Sequence, residues 1–429
     1  MTKVRHAART TFRSLSIRNY RLFFFGQLVS LTGTWMQSLA QVELVLKLTH
    51  NDPRKSFAVG LVVALQFLPM LLFGAWGGVM ADRLDKRRAL IGTQIWMAFV
   101  AGGLAILTFT GAIELWMVYG FALLMGLGTV IDNPTRQSFV IEMVGDEDVA
   151  NAVGLNSAVF NGARIVGPAL AGVMIGSLNA IWPCFALNAV SFLAVIGGLY
   201  AMRTSELHTP ERVARAKGQI REGLRYVWTD PVRRSTLLLV AVIGTFGLNF
   251  TVFLPLMAHF AFHRGAALYG LLTSALAVGS LTGALITAGR GKPTPKLLAG
   301  AGIMFGFFML CAAIAPSTAW EMVALPLTGV GVMTFMATAN STLQLGSSNE
   351  MRGRVMALYA LVFLGTTPLG GPLVSRIAEA YGPRVSMGFG AVMSLAASLV
   401  AGAVLVRKAR RLPADAHLEV GGAQEPAAA

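Results

Sequence analysis

The chain has 429 residues, 55% of them apolar and only 13% charged, with a mean hydropathy of +0.63. A soluble domain carries roughly twice that charge fraction, so the composition excludes an ordinary water-soluble fold. The net charge of +15 does not indicate nucleic acid, because most of the Lys and Arg fall in the termini and in alternate loops, and no polar segment is long enough to fold into a basic binding surface.

A membrane-crossing helix needs about 20 mostly apolar residues. About twelve such stretches follow one another, at 22–47, 57–81, 89–110, 113–143, 151–176, 180–202, 235–260, 267–289, 297–315, 319–345, 355–379 and 383–406. Residues 1–21 are basic and polar, without the short apolar core and small-residue cleavage site of a secretory signal, and are expected to remain as a cytoplasmic segment. Basic loops alternate with loops poor in Lys and Arg. This positive-inside pattern predicts a multi-pass protein of the inner (plasma) membrane with both termini in the cytoplasm. Segments one to six, 22–202, and seven to twelve, 235–406, are separated by the basic linker 203–234, a break that suits two bundles. Residues 407–429 form a cytoplasmic tail whose Ala, Gly and acid-rich composition from Pro413 onward predicts disorder.

The expected fold is therefore an all-α membrane protein, with twelve transmembrane helices in two pseudo-symmetric six-helix bundles. Faint self-similarity supports the repeat. DEDVANAVGLNSAVFNG (146–162) lies over NEMRGRVMALYALVFLG (349–365), pairing Glu147 with Glu350, Leu155 with Leu358, Phe160 with Phe363 and Gly162 with Gly365. After a slip of one residue, Gly167-Pro168 meets Gly371-Pro372.

In chain order, the first polar outlier is Glu43, about 22 residues into the first segment and close to its outer end. Interfacial solvation explains it as simply as a proton or substrate-cation site does. Between the second and third segments, Gly78 to Arg88 reads GVMADRLDKRR, a charged turn joining two bilayer-length helices. The fourth segment holds Asp132 and Arg136 at i, i+4 spacing on either side of Pro134, and the fifth holds Arg164. At 1.5 Å per residue, Asp132 and Arg164 both lie roughly 15–18 Å from the cytoplasmic end. Either charge alone near the bilayer centre costs at least ~2.5–3.5 kcal/mol, so pairing between them is expected. Asp132 either takes up a proton in one state and pairs with Arg164 in the other, or forms a permanent structural bridge with it.

His259 and His263, at the outer end of the seventh segment, have a spacing that could share a metal. No carboxylate or Cys stands beside them in sequence, so two interfacial histidines next to Arg264 is the better reading, and no metal or cofactor is expected. Cys184 and Cys311 fall in different halves and read as buried free thiols. The chain has no HExxH and no GxSxG, and an enzyme is not expected.

The 78–88 turn resembles the signature loop of the major facilitator superfamily of secondary transporters, Gly-x-x-x-Asp-Arg-x-Gly-Arg-Lys/Arg. Gly78, Asp82, Arg83, Lys86 and Arg87 match it, while Asp85 stands where the family usually has Gly. The resemblance implies conformational gating. Asp82 is expected to meet a helix dipole near Val355. Arg83, Lys86 and Arg87 are expected to pair with Glu142 or the acids at 146–148, closing the cytoplasmic side. ARIVGPALAG (163–172) is similar to the family's antiporter-type motif at Gly167, Pro168 and Gly172, with Ala163 and Ala171 in place of two glycines. That motif implies proton-coupled export.

RLFFFGQLVSLTGTWMQSLAQ (21–41), DNPTRQ (132–137), NGARIVGPALAG (161–172) and RGRVMALY (352–359) together resemble the enterobactin-exporter-like branch, the transmembrane secretion effectors. Glu43 departs from that branch, which often has an aromatic there. Helices one, four, seven and ten line the central cavity in this superfamily. The resemblance therefore makes Trp35, Gln37, Gln41, Asn249, Phe250, Asn340 and Gln344 candidate cavity residues, a mixture suited to an amphipathic, partly aromatic substrate. The expectation is a monomeric, proton-coupled exporter of a small molecule such as a drug or siderophore, working by alternating access in contact with membrane lipid. Proton coupling is assigned to Asp132, Arg164, Arg136 and Glu43. A lysophospholipid-type flippase or a sugar or nutrient importer on the same fold are the alternatives.

Overall fold

The computed structural model describes residues 12–145, 147–208, 219–289 and 293–411. The predicted disordered tail, most of the N-terminal segment and Asp146 of the acidic run lie outside them. The chain is helical: α1 (Arg18–Leu48), α2 (Lys55–Arg83), α3 (Lys86–Thr110), α4 (Leu115–Val144), α5 (Val149–Leu178) and α6 (Trp182–Tyr200) form one half. A short linker helix, α7 (Gln219–Thr229), precedes α8 (Pro231–Ala261), α9 (Ala266–Ala288), α10 (Pro295–Ala313), α11 (Thr318–Leu345), α12 (Asn349–Tyr381) and α13 (Pro383–Arg411).

Among the described residues, eleven of these helices are long and apolar enough to cross a bilayer. The remaining long helix, α1, has 31 residues but is interrupted by polar side chains. Gln27, Gln37, Gln41 and Glu43 all lie on it, and all four are buried. Its polarity is turned into protein rather than toward lipid, which is why a low-hydropathy helix can still occupy a central place.

Local chemistry sets the helix ends. Asp85 does not disturb the signature turn: its carboxylate accepts from the Arg88 backbone N–H at 2.8 Å and caps α3. Asp230 caps α8 in the same way, with Pro231 at the first helical position. The helix α8 is irregular. Its α-helical parts, Pro231–Val242 and Phe250–Leu256, are separated and followed by π-helical turns at Ile243–Gly247 and Met257–Ala261. Such wide turns inside membrane helices mark functional positions more often than chance.

Within the first half, α1 packs on α5 and α6, α2 on α4, and α3 on both α4 and α6. In the second, α11 packs on α9 and α10, and α13 on α10. The halves meet along two seams, α5 against α9 and α2 against α12. Exchanging the halves exchanges the seams, so the weak sequence repeat around Gly167-Pro168 and Gly371-Pro372 falls on equivalent contacts. We call the membrane side bearing the 84–85 turn and the linker the linker face, and the opposite side the far face.

Both seams are tightest in their far halves. A Cβ on Gly172 of α5 would stand 2.8 Å from the Ala266 carbonyl oxygen and 3.2 Å from the Gly270 Cα of α9. A side chain on Gly60 of α2 would collide with Ser375 and the Gly371 carbonyl of α12. On the linker face, Glu222 of α7 pairs with Arg354 at the start of α12 at 2.6 Å, and the Tyr226 hydroxyl accepts from the Ser348 backbone N–H at 3.1 Å. The linker helix is thereby fastened to the second half.

Candidate functional site

Asp132, on α4, is fully buried. One carboxylate oxygen accepts from Thr93 Oγ1 and Gln94 Nε2 of α3, each at 2.8 Å, and the other meets the Arg136 guanidinium one turn along α4. Arg136 also donates to Gln27 Oε1 of α1 at 2.7 Å. This corrects the expected pairing of Asp132 with Arg164. The i, i+4 geometry puts Arg136 within reach without any tertiary search, and α5 packs chiefly on α1 and α9 rather than on α4. Gln27, Thr93 and Gln94 complete the network. Gln27 and Gln94, isolated amides inside apolar runs, were signals that sequence reasoning passed over.

Glu43 is also buried, so exposure to solvent does not account for it. Its two carboxylate oxygens lie 2.9 and 3.0 Å from His259 Nε2, so the first helix of one half is tied to the wide turn ending α8 in the other. His259 thus becomes a site residue, whereas its sequence neighbours made it look like a surface group. The contact lies near the far face, where Lys55 sits 4.4 Å over the Phe260 ring and Arg376 4.5 Å over Phe57, both across the two halves. His263 has positive φ; among the described residues no cluster of three or more potential metal-binding side chains exists.

Arg164 makes no ion pair with any described residue. Its guanidinium lies 5.5 Å from the centroid of the Trp35 ring on α1, and Trp35 meets Phe160 edge-on at 5.8 Å. The charge stands one turn toward the linker face from Gly167 and Pro168. There α5 touches both α1, at Thr32 and Trp35, and α9, at Gly270. The Gly167, Pro168 and Gly172 motif therefore lies in a seam, and Ser274 Oγ of α9 donates to the Ile165 carbonyl at 2.7 Å beside it.

The other candidates divide. Gln37 accepts from Asn188 Nδ2 of α6 at 2.7 Å, and Gln41 donates to the Val118 carbonyl of α4 at 3.3 Å. Both belong to the interior of the first half. Asn249 donates to the Thr245 carbonyl freed at the break in α8, and Phe250 packs edge-on against Phe305 of α10. These four are corrected from cavity to bundle-interior positions, because each is buried and satisfied within its own half. Trp35 and Asn340 are half-buried, and Gln344 is exposed. In the signature turn, Gly78 is half-buried and Asp82 and Arg83 are exposed. Lys86 pairs with Glu142, and Arg87 donates to the Leu199 carbonyl at 2.7 Å. The Lys86 and Arg87 contacts stay inside the first half and do not bridge the two.

A family description, transmembrane secretion effector, matches residues 9–422. Relatives include a staphyloferrin A transporter of Staphylococcus aureus, 23% identical, with 84% of this chain and 90% of that protein covered. The multidrug efflux pump Tap of Mycolicibacterium fortuitum is 27% identical over 84% of this chain and 89% of its own length. Macrolide efflux protein A of Streptococcus pyogenes is 23% identical over 85% and 91%. Among solved structures, a bacterial homologue of the lysosomal transporter Spinster, inward-facing and unoccupied, superposes with TM-score 0.71 over 92% of this chain and 99% of that chain, at 15% identity. A peptide transporter of the POT family gives 0.74 over 91% and 95%, also at 15% identity.

Proposed function

The chain belongs to the transmembrane secretion effector family of the major facilitator superfamily, a family of transporters rather than enzymes, and on that premise we propose that it is a proton-coupled exporter of an amphipathic small molecule. The relatives' names, which cover multidrug efflux, macrolide efflux and staphyloferrin A transport, support outward movement of such compounds. The linker face, rich in Lys and Arg, is taken as cytoplasmic. The tight far halves of both seams then make the described conformation closed to the outside.

The observation that carries the coupling is the Glu43–His259 contact, a titratable pair across the surface that must part during alternating access. The pair is ionic only when His259 is protonated. A proton taken from outside holds the outer face shut, returning the empty transporter to its inward-open form. In the antiport cycle proposed here, that proton then leaves on the cytoplasmic side. Its loss weakens the clasp so that cargo-loaded protein opens outward, which gives proton entry against cargo exit. The Asp132–Arg136 network is the second candidate. Its carboxylate, however, is satisfied from three side chains of one half and does not span the moving surface.

The test uses energised inverted vesicles with a fluorescent ΔpH reporter, challenged with a cationic drug, a macrolide and a hydroxycarboxylate siderophore. Dissipation of ΔpH by any of them in the wild type, lost in expression-matched Glu43→Gln, is the expected result. Undiminished dissipation in Glu43→Gln would remove the pair from the coupling. Movement of labelled compound with no ΔpH change would replace antiport by facilitated or lipid transport.

A further inference from the structure

We infer that Arg164, backed by Trp35 and Phe160, is the anion-binding point of the cargo site, and that the transported molecule carries a carboxylate or similar oxyanion beside a flat apolar body. The inference rests on the export reading above and narrows its cargo.

Three observations lead there. First, Arg164 is a cation deep inside α5 with no acidic partner among the described residues, and the two buried carboxylates of α4, Asp132 and Glu142, are already taken by Arg136 and Lys86. A membrane-depth guanidinium is normally paired or faces a water-filled cavity. Second, its location suits cargo: half-buried, it stands one turn from the seam where α1, α5 and α9 converge between the halves. Third, the mode of contact leaves its donors free. Arg164 lies 5.5 Å from the Trp35 ring centroid and makes no hydrogen bond to any described residue, so its N–H groups remain available for two parallel hydrogen bonds to a carboxylate. Trp35, held edge-on by Phe160 at 5.8 Å, offers an apolar wall next to that fork. A cationic cargo has no comparable partner there, since it would have to approach an unneutralised guanidinium.

The test is equilibrium binding to the purified full-length protein in phosphatidylcholine nanodiscs, without any gradient, using 1-naphthoate, 1-naphthamide and 1-naphthylmethylammonium. These probes share one apolar body and differ in charge. At least tenfold tighter binding of naphthoate than of the amide is expected, with the cation weakest. Arg164→Gln should abolish the preference, and Arg164→Lys should keep part of it, because charge survives while the fork is lost. Trp35→Leu should weaken all three probes while preserving their order, and it guards against misreading an Arg164 variant that unfolds; melting curves accompany each variant. Equal binding of naphthoate and amide, or a preference that survives Arg164→Gln in folded protein, overturns the inference. A third arm adds phosphatidylglycerol. If it displaces naphthoate completely, the group is a lipid-headgroup site and not a cargo site. Since no proton gradient is present, export can stand while this inference falls: vesicle antiport of a cation with no Arg164-dependent anion binding is that outcome.

Discussion

Two buried acid–base contacts make an instructive pair. Asp132–Arg136 joins residues one turn apart on α4, and Glu43–His259 joins residues 216 positions apart in different halves. The first can persist unchanged while the halves rock as rigid bodies, whereas the second must break. Both hold a buried carboxylate against a basic side chain, so burial of the acid alone does not tell coupling from scaffold. What separates them is whether the contact crosses the surface that moves.

The largest expected effect tests the scaffold side. Asp132→Asn leaves Arg136 buried without its counter-charge, a type of change that costs about 3–5 kcal/mol. A marked fall in the melting temperature of the purified protein is expected, partly restored in Asp132→Asn/Arg136→Gln. A stable Asp132→Asn protein that has lost only ΔpH exchange would erase the distinction between the two contacts.

Next in size is Gly60→Leu, which cannot be accommodated against Ser375 and Gly371 with the far face closed. It should raise labelling of a cysteine placed near the outer end of the seam several-fold, with Gly92→Leu as control because nothing lies within 4 Å of a Cβ there. Equal labelling in the two would mean that the far face is not held by this seam. Glu43→Gln should be milder for folding than Asp132→Asn yet severe for coupling, with melting close to wild type and ΔpH exchange reduced at least tenfold. A melting loss equal to that of Asp132→Asn would make both contacts scaffold. The smallest effect is expected for Lys86→Ala. The Lys86–Glu142 pair lies within one half and each side chain keeps a little over a tenth of its surface exposed, so the loss of stability should be smaller than for Asp132→Asn. A large change in transport rate instead would support a gating role for Lys86 in the signature turn.

Much of the fold was legible before any coordinates. The twelve apolar runs, the linker break and the Gly-Pro repeat are local or compositional signals, and bilayer thickness turns run length directly into helix count. The signature turn was readable as a turn, and Asp85 in place of Gly is explained by its capping bond to Arg88. The site was less legible. Depth alone made Asp132 and Arg164 look like partners, but depth is one coordinate out of three, and the direction each side chain leaves its helix decided otherwise. Gln37 and Gln41 were placed in a cavity because their helix lines one in the superfamily. Asn188 and the Val118 carbonyl turned them inward instead.

The sequence by itself determined that this chain is a helical membrane transporter in two halves, because hydropathy, charge placement and short turn motifs act over a few residues and survive without tertiary context. Only the tertiary structure decided which buried charges meet. Glu43 finds His259, Asp132 keeps Arg136, and Arg164 is left with the Trp35 ring. The physical reason is that burying a charge obliges it to find a partner without specifying which one. That choice is made by helix rotation and by the glycine-lined seams through which the two halves touch.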